Sequence, residues 1–266
     1  MNLKSLSLLS IVVAVLLLSG CNTLYIDRTY TAKSQDSRAQ FLILHYTAGG
    51  FQGSLKTLTE GPVSSHYLVD ENPPTVYQLV DDNRRAYHAG VSSWKGATAL
   101  NASSIGIEIV NIGYKETAEG RMYQNFPQPQ IDAVIALVKK IVAEHKILPE
   151  RVIGHSDIAP GRKPDPGPRF PWKQLAKEGL ILWPDETEVA NRLPAFTALL
   201  PDVAWFQDNL AKHGFVVPNN GMLDAPTRSV IAAFQMKYRP SNFDGTPDAE
   251  TGAMLDVLVS PKAASK

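Results

Sequence analysis

No stretch restricts the fold of this chain as strongly as Gly154 to Pro168, which reads Gly-His-Ser-Asp-Ile-Ala-Pro-Gly-Arg-Lys-Pro-Asp-Pro-Gly-Pro. Pro160, Pro164, Pro166 and Pro168 each fix φ, so the loop has few conformations and its polar side chains few directions. Arg151-Val152-Ile153-Gly154 reads as a short strand that delivers His155 at its carboxyl end. Far upstream, Phe41-Leu42-Ile43-Leu44 reads as a buried strand that delivers His45 in the same way. The stiff loop adds Asp165. Two imidazoles and one carboxylate with a fourth position open is a usual arrangement for catalytic zinc. Such a site activates water for hydrolysis near neutral pH, and its ligands must be rigidly held. A single histidine at a strand end is more often structural; the combination is what points to Zn2+.

Around these residues, 40–185 alternates strand-like and helical segments. Strands are predicted at Phe41–His45, Ser65–Val69, Thr75–Val80, Ser104–Val110 and Arg151–Gly154. Ile131, Val134, Ile135, Val138, Ile141 and Val142 share one face of a helix predicted over Asp132–His145. The expected fold is α/β: a mixed central sheet flanked by helices, with the zinc site at strand ends. Residues 186–200 are expected to be a linker to a small three-helix C-terminal domain over 201–262. That domain carries an internal repeat: Gly221-Met222-Leu223-Asp224-Ala225-Pro226-Thr227 is echoed by Gly245-Thr246-Pro247-Asp248-Ala249-Glu250-Thr251. Each is a turn glycine followed by residues able to cap a helix.

Amide or ester hydrolysis also needs proton transfer and charge stabilisation. Ser104-Ile105-Gly106-Ile107-Glu108-Ile109-Val110 sets one carboxylate among apolar residues. Desolvation there would raise the pKa of Glu108 towards the range useful for acid–base work. The residues alone leave equally open a glutamate on the solvent face of an edge strand. Lys163, two positions before Asp165, would place a cation beside a developing oxyanion, although an exposed loop lysine is the commoner case.

His45-Tyr46-Thr47, Ser64-Ser65-His66-Tyr67, His88-Ala89-Gly90, Ile105-Gly106-Ile107-Glu108 and the 154–168 loop together resemble the zinc-dependent N-acetylmuramoyl-L-alanine amidases. These belong to the type 2 amidase and peptidoglycan-recognition-protein superfamily. The resemblance implies zinc on His45, His155 and Asp165, with Glu108 and Lys163 catalytic. It implies hydrolysis of the amide between the lactyl group of N-acetylmuramic acid, ordinary or 1,6-anhydro, and L-alanine. By the same resemblance His88 is expected in the substrate groove. Arg162, in the stiff loop, could pair with a stem-peptide carboxylate, and an exposed arginine is nearly as open a reading. Trp94 and Asn101 are further groove candidates. The superfamily's phage and recognition-protein branch has a catalytic tyrosine at the position of Ser65 and tends to use cysteine at that of Asp165. The chain therefore resembles the bacterial branch, in which the glutamate transfers the proton. His66, His145 and His213 read as structural. The C-terminal repeat resembles the peptidoglycan-binding domains of wall hydrolases, the alternative being a helical appendage that only packs on the catalytic domain, and its removal is expected to leave hydrolysis of small muropeptides intact.

The chain begins with Lys4 and an apolar core from Leu6 to Leu18, too short for the roughly 20 residues of a membrane span but suited to an export signal. It ends in Leu18-Ser19-Gly20-Cys21, resembling a lipoprotein box, and Cys21 has no partner thiol. Residues 1–20 are thus expected to be a lipoprotein signal peptide and 21–39 a tether. Lipidation would fall on Cys21, and Asn22 fits outer-membrane retention facing the periplasm. Acyl chains would make that anchorage stable. A formal net charge of zero suggests no nucleic-acid partner. The expected partners are peptidoglycan and its muropeptides, and the outer membrane. The alternative reading is a noncatalytic wall-binding or tethering lipoprotein.

Overall fold

The computed structural model describes residues 24–118 and 120–260. The signal peptide over 1–20, Cys21 and the last two residues of 201–262 lie outside the described residues. Residues 24–35 hold no helix or strand, and the chain from Asp36 onward forms one unit. No described helix is long and apolar enough to cross a membrane.

The apolar run at the start of that unit becomes β1 (Phe41–Tyr46), buried along its whole length. In chain order follow α1 (Phe51–Glu60), β2 (Tyr67–Val69), β3 (Val76–Gln78) and a small ribbon of β4 (Ser93–Trp94) and β5 (Ala97–Thr98). Next are β6 (Ser104–Ile109), a second ribbon of β7 (Tyr114–Thr117) and β8 (Gly120–Tyr123), α2 (Gln128–His145) and β9 (Val152–Gly154). The remainder is helical: α3 (His155–Ile158), α4 (Trp172–Lys177), α5 (Glu186–Ala198), α6 (Val203–His213), α7 (Ala225–Tyr238) and α8 (Ala249–Val259).

The main sheet has the order β3-β2-β6-β1-β9. β1 runs parallel to β6 and β9, β2 runs parallel to β6, and β3 is an antiparallel edge. Central parallel strands need apolar residues on both faces because both are covered, and the alternation along β1 shows what covers each. Leu42 and Leu44 pack with Ile105, Ile107 and Ile109 of β6 against Ile131, Val134, Val138 and Ile141 of α2. Helix α2 starts at Gln128, four residues before the predicted start, because Pro129 falls in its first turn, where no backbone N–H is needed.

Phe41 and Ile43 point the other way. They pack with Trp94, Ile153 and Ile158 against Phe206, Leu210, Val230, Phe234 and Leu255 of α6, α7 and α8. The C-terminal helices thus close the second face of the main sheet. Residues 186–198, expected within a linker, are instead helix α5. Asp185 caps its start by accepting from the N–H groups of Thr187 and Glu188, and Arg192 ties it to Asp256 and Ser260. Among the described residues, 201–262 holds the three expected helices, α6, α7 and α8, and α5 precedes them. The repeat is built on repeated hydrogen bonds: Asp224 caps through the Thr227 N–H and Asp248 through the Thr251 N–H. Gln207 and Gln235 each donate to the matching threonine hydroxyl and accept from the turn glycine N–H.

Candidate active site

Strand parity places the first two site residues. On β1 the series Phe41, Ile43, His45 shares one face, and the parallel register sets His45 opposite Glu108 on β6. Both side chains therefore project together at the carboxyl ends of central strands, where open α/β sheets bind ligands. His155 opens α3 immediately after β9, which pairs with β1 on its other side. The loop returns Asp165 to the same spot, and its carbonyl accepts the Ser156 N–H at 2.8 Å.

The three ligand atoms form a small triangle. His45 Nδ1 lies 2.9 Å from His155 Nδ1, and each lies 3.0 Å from Asp165 Oδ2. All three residues are buried. The surrounding hydrogen bonds decide where the ring protons are. The Ala89 carbonyl, 3.1 Å from His155 Nε2, can only accept, so His155 carries its proton on Nε2. The Ser104 hydroxyl donates to the Leu100 carbonyl at 2.6 Å and so accepts from His88 Nε2 at 3.2 Å. His88 Nδ1 is then the acceptor for His45 Nε2–H at 3.0 Å. Both Nδ1 atoms of the triangle are consequently bare when the rings are neutral.

Burial favours that neutral form, lowering the His45 pKa to about 4 with His155 assisting against the opposing pull of Asp165. For Asp165 burial pushes the carboxyl upward, but the two imidazoles beside it outweigh that and hold the group below the usual range. Three electron-pair donors thus converge in a buried space with no proton among them, an arrangement that calls for a cation. Tetrahedral bonds of about 2.0–2.1 Å to zinc set ligand atoms roughly 3.3 Å apart, so the triangle fits such an ion with a slight opening. The second nitrogens of both imidazoles are already anchored, as metal-ligating histidines require.

Glu108 Oε2 is buried without a hydrogen-bond partner. Burial raises its pKa well above the carboxylate range, Asp165 adds to this, and Lys163 opposes it. Lys163 is exposed and lines the same cavity, whose volume is about 620 Å³. Tyr46, Ser54, Thr57 and Tyr114 complete much of the wall; none was singled out by the sequence. Ribbon β7–β8 contributes Tyr114, while its Tyr123 ring and that of Tyr46 each lie 3.3 Å from where a Cβ on Gly167 would be.

Four expected groove residues have other work. His88 borders the cavity, but both its nitrogens belong to the chain that fixes His45. Its ring lies so close over β6 that a Cβ on Gly106 would come within 2.6 Å of it. Asn101 Oδ1 accepts the N–H groups of His88 and Ala89 at 3.0 and 2.7 Å, clamping the segment whose carbonyl orients His155. Arg162 lines the cavity and is anchored through one terminal nitrogen, Nη2, which donates to the carbonyls of Ala89 and Val91. Trp94 is only 2 % exposed; its ring meets His213 and Phe215 edge-on, and its Nε1–H donates to the Glu150 carbonyl. Neither Trp94 nor Asn101 is among the cavity walls. His66 is structural as expected, accepting the Gly106 N–H at 3.0 Å. Replacing His88 by Phe, which fills the space but offers no acceptor, is expected to weaken divalent-metal binding roughly 10–100-fold. Competition with a chromophoric chelator would measure it; unchanged affinity would remove His88 from the orienting chain.

The same architecture recurs among known proteins. A family model described as N-acetylmuramoyl-L-alanine amidase matches residues 35–168, and one described as a putative peptidoglycan binding domain matches residues 200–255. The chain is 42% identical over 265 residues to N-acetylmuramoyl-L-alanine amidase AmiD of Escherichia coli strain K12, covering 94% of this chain and 96% of that one. The structure of E. coli AmiD with the substrate anhydro-N-acetylmuramic acid-L-Ala-D-gamma-Glu-L-Lys superposes with a TM-score of 0.80 over 88% of this chain and 93% of that one, at 42% identity. AmpDh3 of Pseudomonas aeruginosa, solved with an anhydromuramic pentapeptide, superposes with a TM-score of 0.82 at 38% identity, over 88% and 97% of the two chains. With its sheet, its His-His-Asp cluster and these likenesses taken together, the chain belongs to the type 2 N-acetylmuramoyl-L-alanine amidase family.

Proposed function

We propose that this chain is a zinc amidase that cleaves N-acetylmuramic acid from L-alanine, with 1,6-anhydro muropeptides among its substrates. The observation that carries the reading is the convergence of His45, His155 and Asp165 as bare donors beside an unpartnered Glu108. The anhydro-muramyl ligands of the two solved relatives support the substrate class.

Zinc, when bound there, polarises the amide carbonyl and acidifies water. Glu108 takes the proton of the attacking water and returns it to the L-alanine nitrogen as the C–N bond breaks. Its desolvated carboxylate is suited to that exchange near neutrality because its affinity for a proton is raised. Lys163, at the cavity wall, faces negative charge developing on the carbonyl oxygen. Arg162, held on two backbone carbonyls, keeps the loop and its lysine in place.

The cellular address is part of the proposal: lipid attachment at Cys21 and residence at the outer membrane, facing the periplasm. It is supported by the lipoprotein-like box in the sequence. The match of residues 200–255 to a putative peptidoglycan binding domain supports contact with the wall. The decisive experiment is mass spectrometry of a defined anhydro-muropeptide incubated with the form lacking residues 1–21, with zinc and with chelator. Release of an intact stem peptide beginning at L-alanine, lost on chelation and regained with zinc, is the expected result. No cleavage by the zinc-loaded protein would leave a noncatalytic wall-binding lipoprotein.

A further inference from the structure

The segment that presents His155 is too short to hold itself. Helix α3 has four residues, far fewer than an isolated helix needs, so its position must come from outside. Part of the hold comes from Asp157, whose Oδ2 accepts the Gly154 N–H at 2.8 Å. The same oxygen is 2.8 Å from Nζ of Lys237, on α7 of the C-terminal helical unit. The two side chains are 1 % and 4 % exposed. The Lys237 ammonium also lies 4.4 Å from the centre of the Trp172 ring, and that ring, with Pro166, leaves no room for a side chain at Gly154.

A buried ion pair is costly to desolvate, and apolar residues of similar volume are often as stabilising or more so. A pair of this kind is better explained by what it positions than by net stability. Here the pair holds one side of the turn and Asp165 the other. Asp157 holds the backbone just before His155, and the Asp165 carbonyl holds Ser156 just after it. We propose that Lys237 is a positioning residue for the amidase site. Acting through Asp157, it sets the direction of His155, and the C-terminal helical unit is thereby a working part of the metal centre rather than only a wall-binding appendage. The inference rests on the zinc reading above.

The test uses the full chain purified in mild detergent and loaded with zinc. It measures the zinc release rate into excess chelator and, separately, kcat and KM on a soluble muropeptide. Lys237→Met is expected to accelerate zinc release roughly 10–100-fold, the scale of a lost metal-supporting contact, and to lower kcat while KM is held. Lys237→Met combined with Asp157→Asn is expected to recover both towards wild type, since the amide still accepts the Gly154 N–H and no charge is left unpaired. Leu210→Ala, in the same apolar layer, serves as the stability control: it should lower the melting temperature without changing zinc release. A Lys237→Met protein that melts earlier but keeps wild-type zinc release and kcat overturns the proposal. Should that variant fail to fold, Lys237→Gln takes its place: it removes the charge opposite Asp157 while keeping a polar head of similar reach, so unchanged zinc release and kcat would overturn the proposal equally. A wild-type chain that takes up no zinc would overturn the zinc reading first, and this inference with it.

Discussion

Glu108→Gln is expected to lower kcat/KM by about 10²–10⁴-fold, the usual contribution of a positioned acid–base group, while zinc binding is unchanged. The substitution preserves volume but exchanges one acceptor oxygen for an amide NH2 and removes the titratable charge. Zinc binding should survive because Glu108 is not one of the three convergent donors. The pH profile supplies a second readout. As a base, Glu108 works ionised, so activity is present above its pKa and falls as pH drops through it. Because burial and Asp165 raise that pKa, the acidic limb should sit above the ordinary carboxylate range of about 4.3. The residual activity of the glutamine variant should lack this limb. Full turnover by Glu108→Gln with zinc bound would transfer the proton-handling role to another group.

Truncation after residue 200 should not yield a smaller working amidase, contrary to what the sequence suggests. Removing α6–α8 would uncover Phe41, Ile43, Ile153 and Ile158 on the sheet face. Each such side chain is worth about 1.5–3 kcal/mol when fully buried, so the four together approach 6–12 kcal/mol at most. That is of the order of a whole domain's stability, roughly 5–15 kcal/mol. Asp157 would also lose its buried cation. The expected outcome is insoluble protein, or a chain without a cooperative melting transition by circular dichroism. A truncated protein that melts cooperatively and hydrolyses small muropeptides at the wild-type rate would show that the helical layer is dispensable. If the expectation holds, wall binding by the helical unit must be tested by exposed substitutions and not by deletion.

These two outcomes divide along what was legible in the chain. His45, His155 and Asp165 could be read because each stands at a punctuation point: the end of an apolar run, the end of a short strand, and between prolines that fix the loop. Glu108 was legible as a charge among apolar neighbours, although its partnership with His45 depends on the parallel register of β1 and β6. Helix α2 was legible from periodicity because one face meets one sheet, which imposes a regular pattern.

The supporting shell was not. His88, Asn101, Arg162 and Trp94 are residue types that suit a substrate groove, and sequence cannot tell a polar group facing a ligand from one facing a backbone carbonyl. Gly106 permits a close approach, but only the tertiary structure shows that the approaching group is the His88 ring. Likewise, β1 reads as buried on both faces without saying what covers it; the cover is α6–α8, more than 150 residues away in the chain. Local patterning thus determined the strand ends, the ligand set and the chemistry they suit. Only tertiary packing decided which protons the histidines carry, which polar groups serve the metal site rather than the substrate, and that the C-terminal helices complete the amidase sheet. The physical reason is that such contacts join residues distant in sequence through backbone acceptors and apolar surfaces, which leave no periodic mark on either partner.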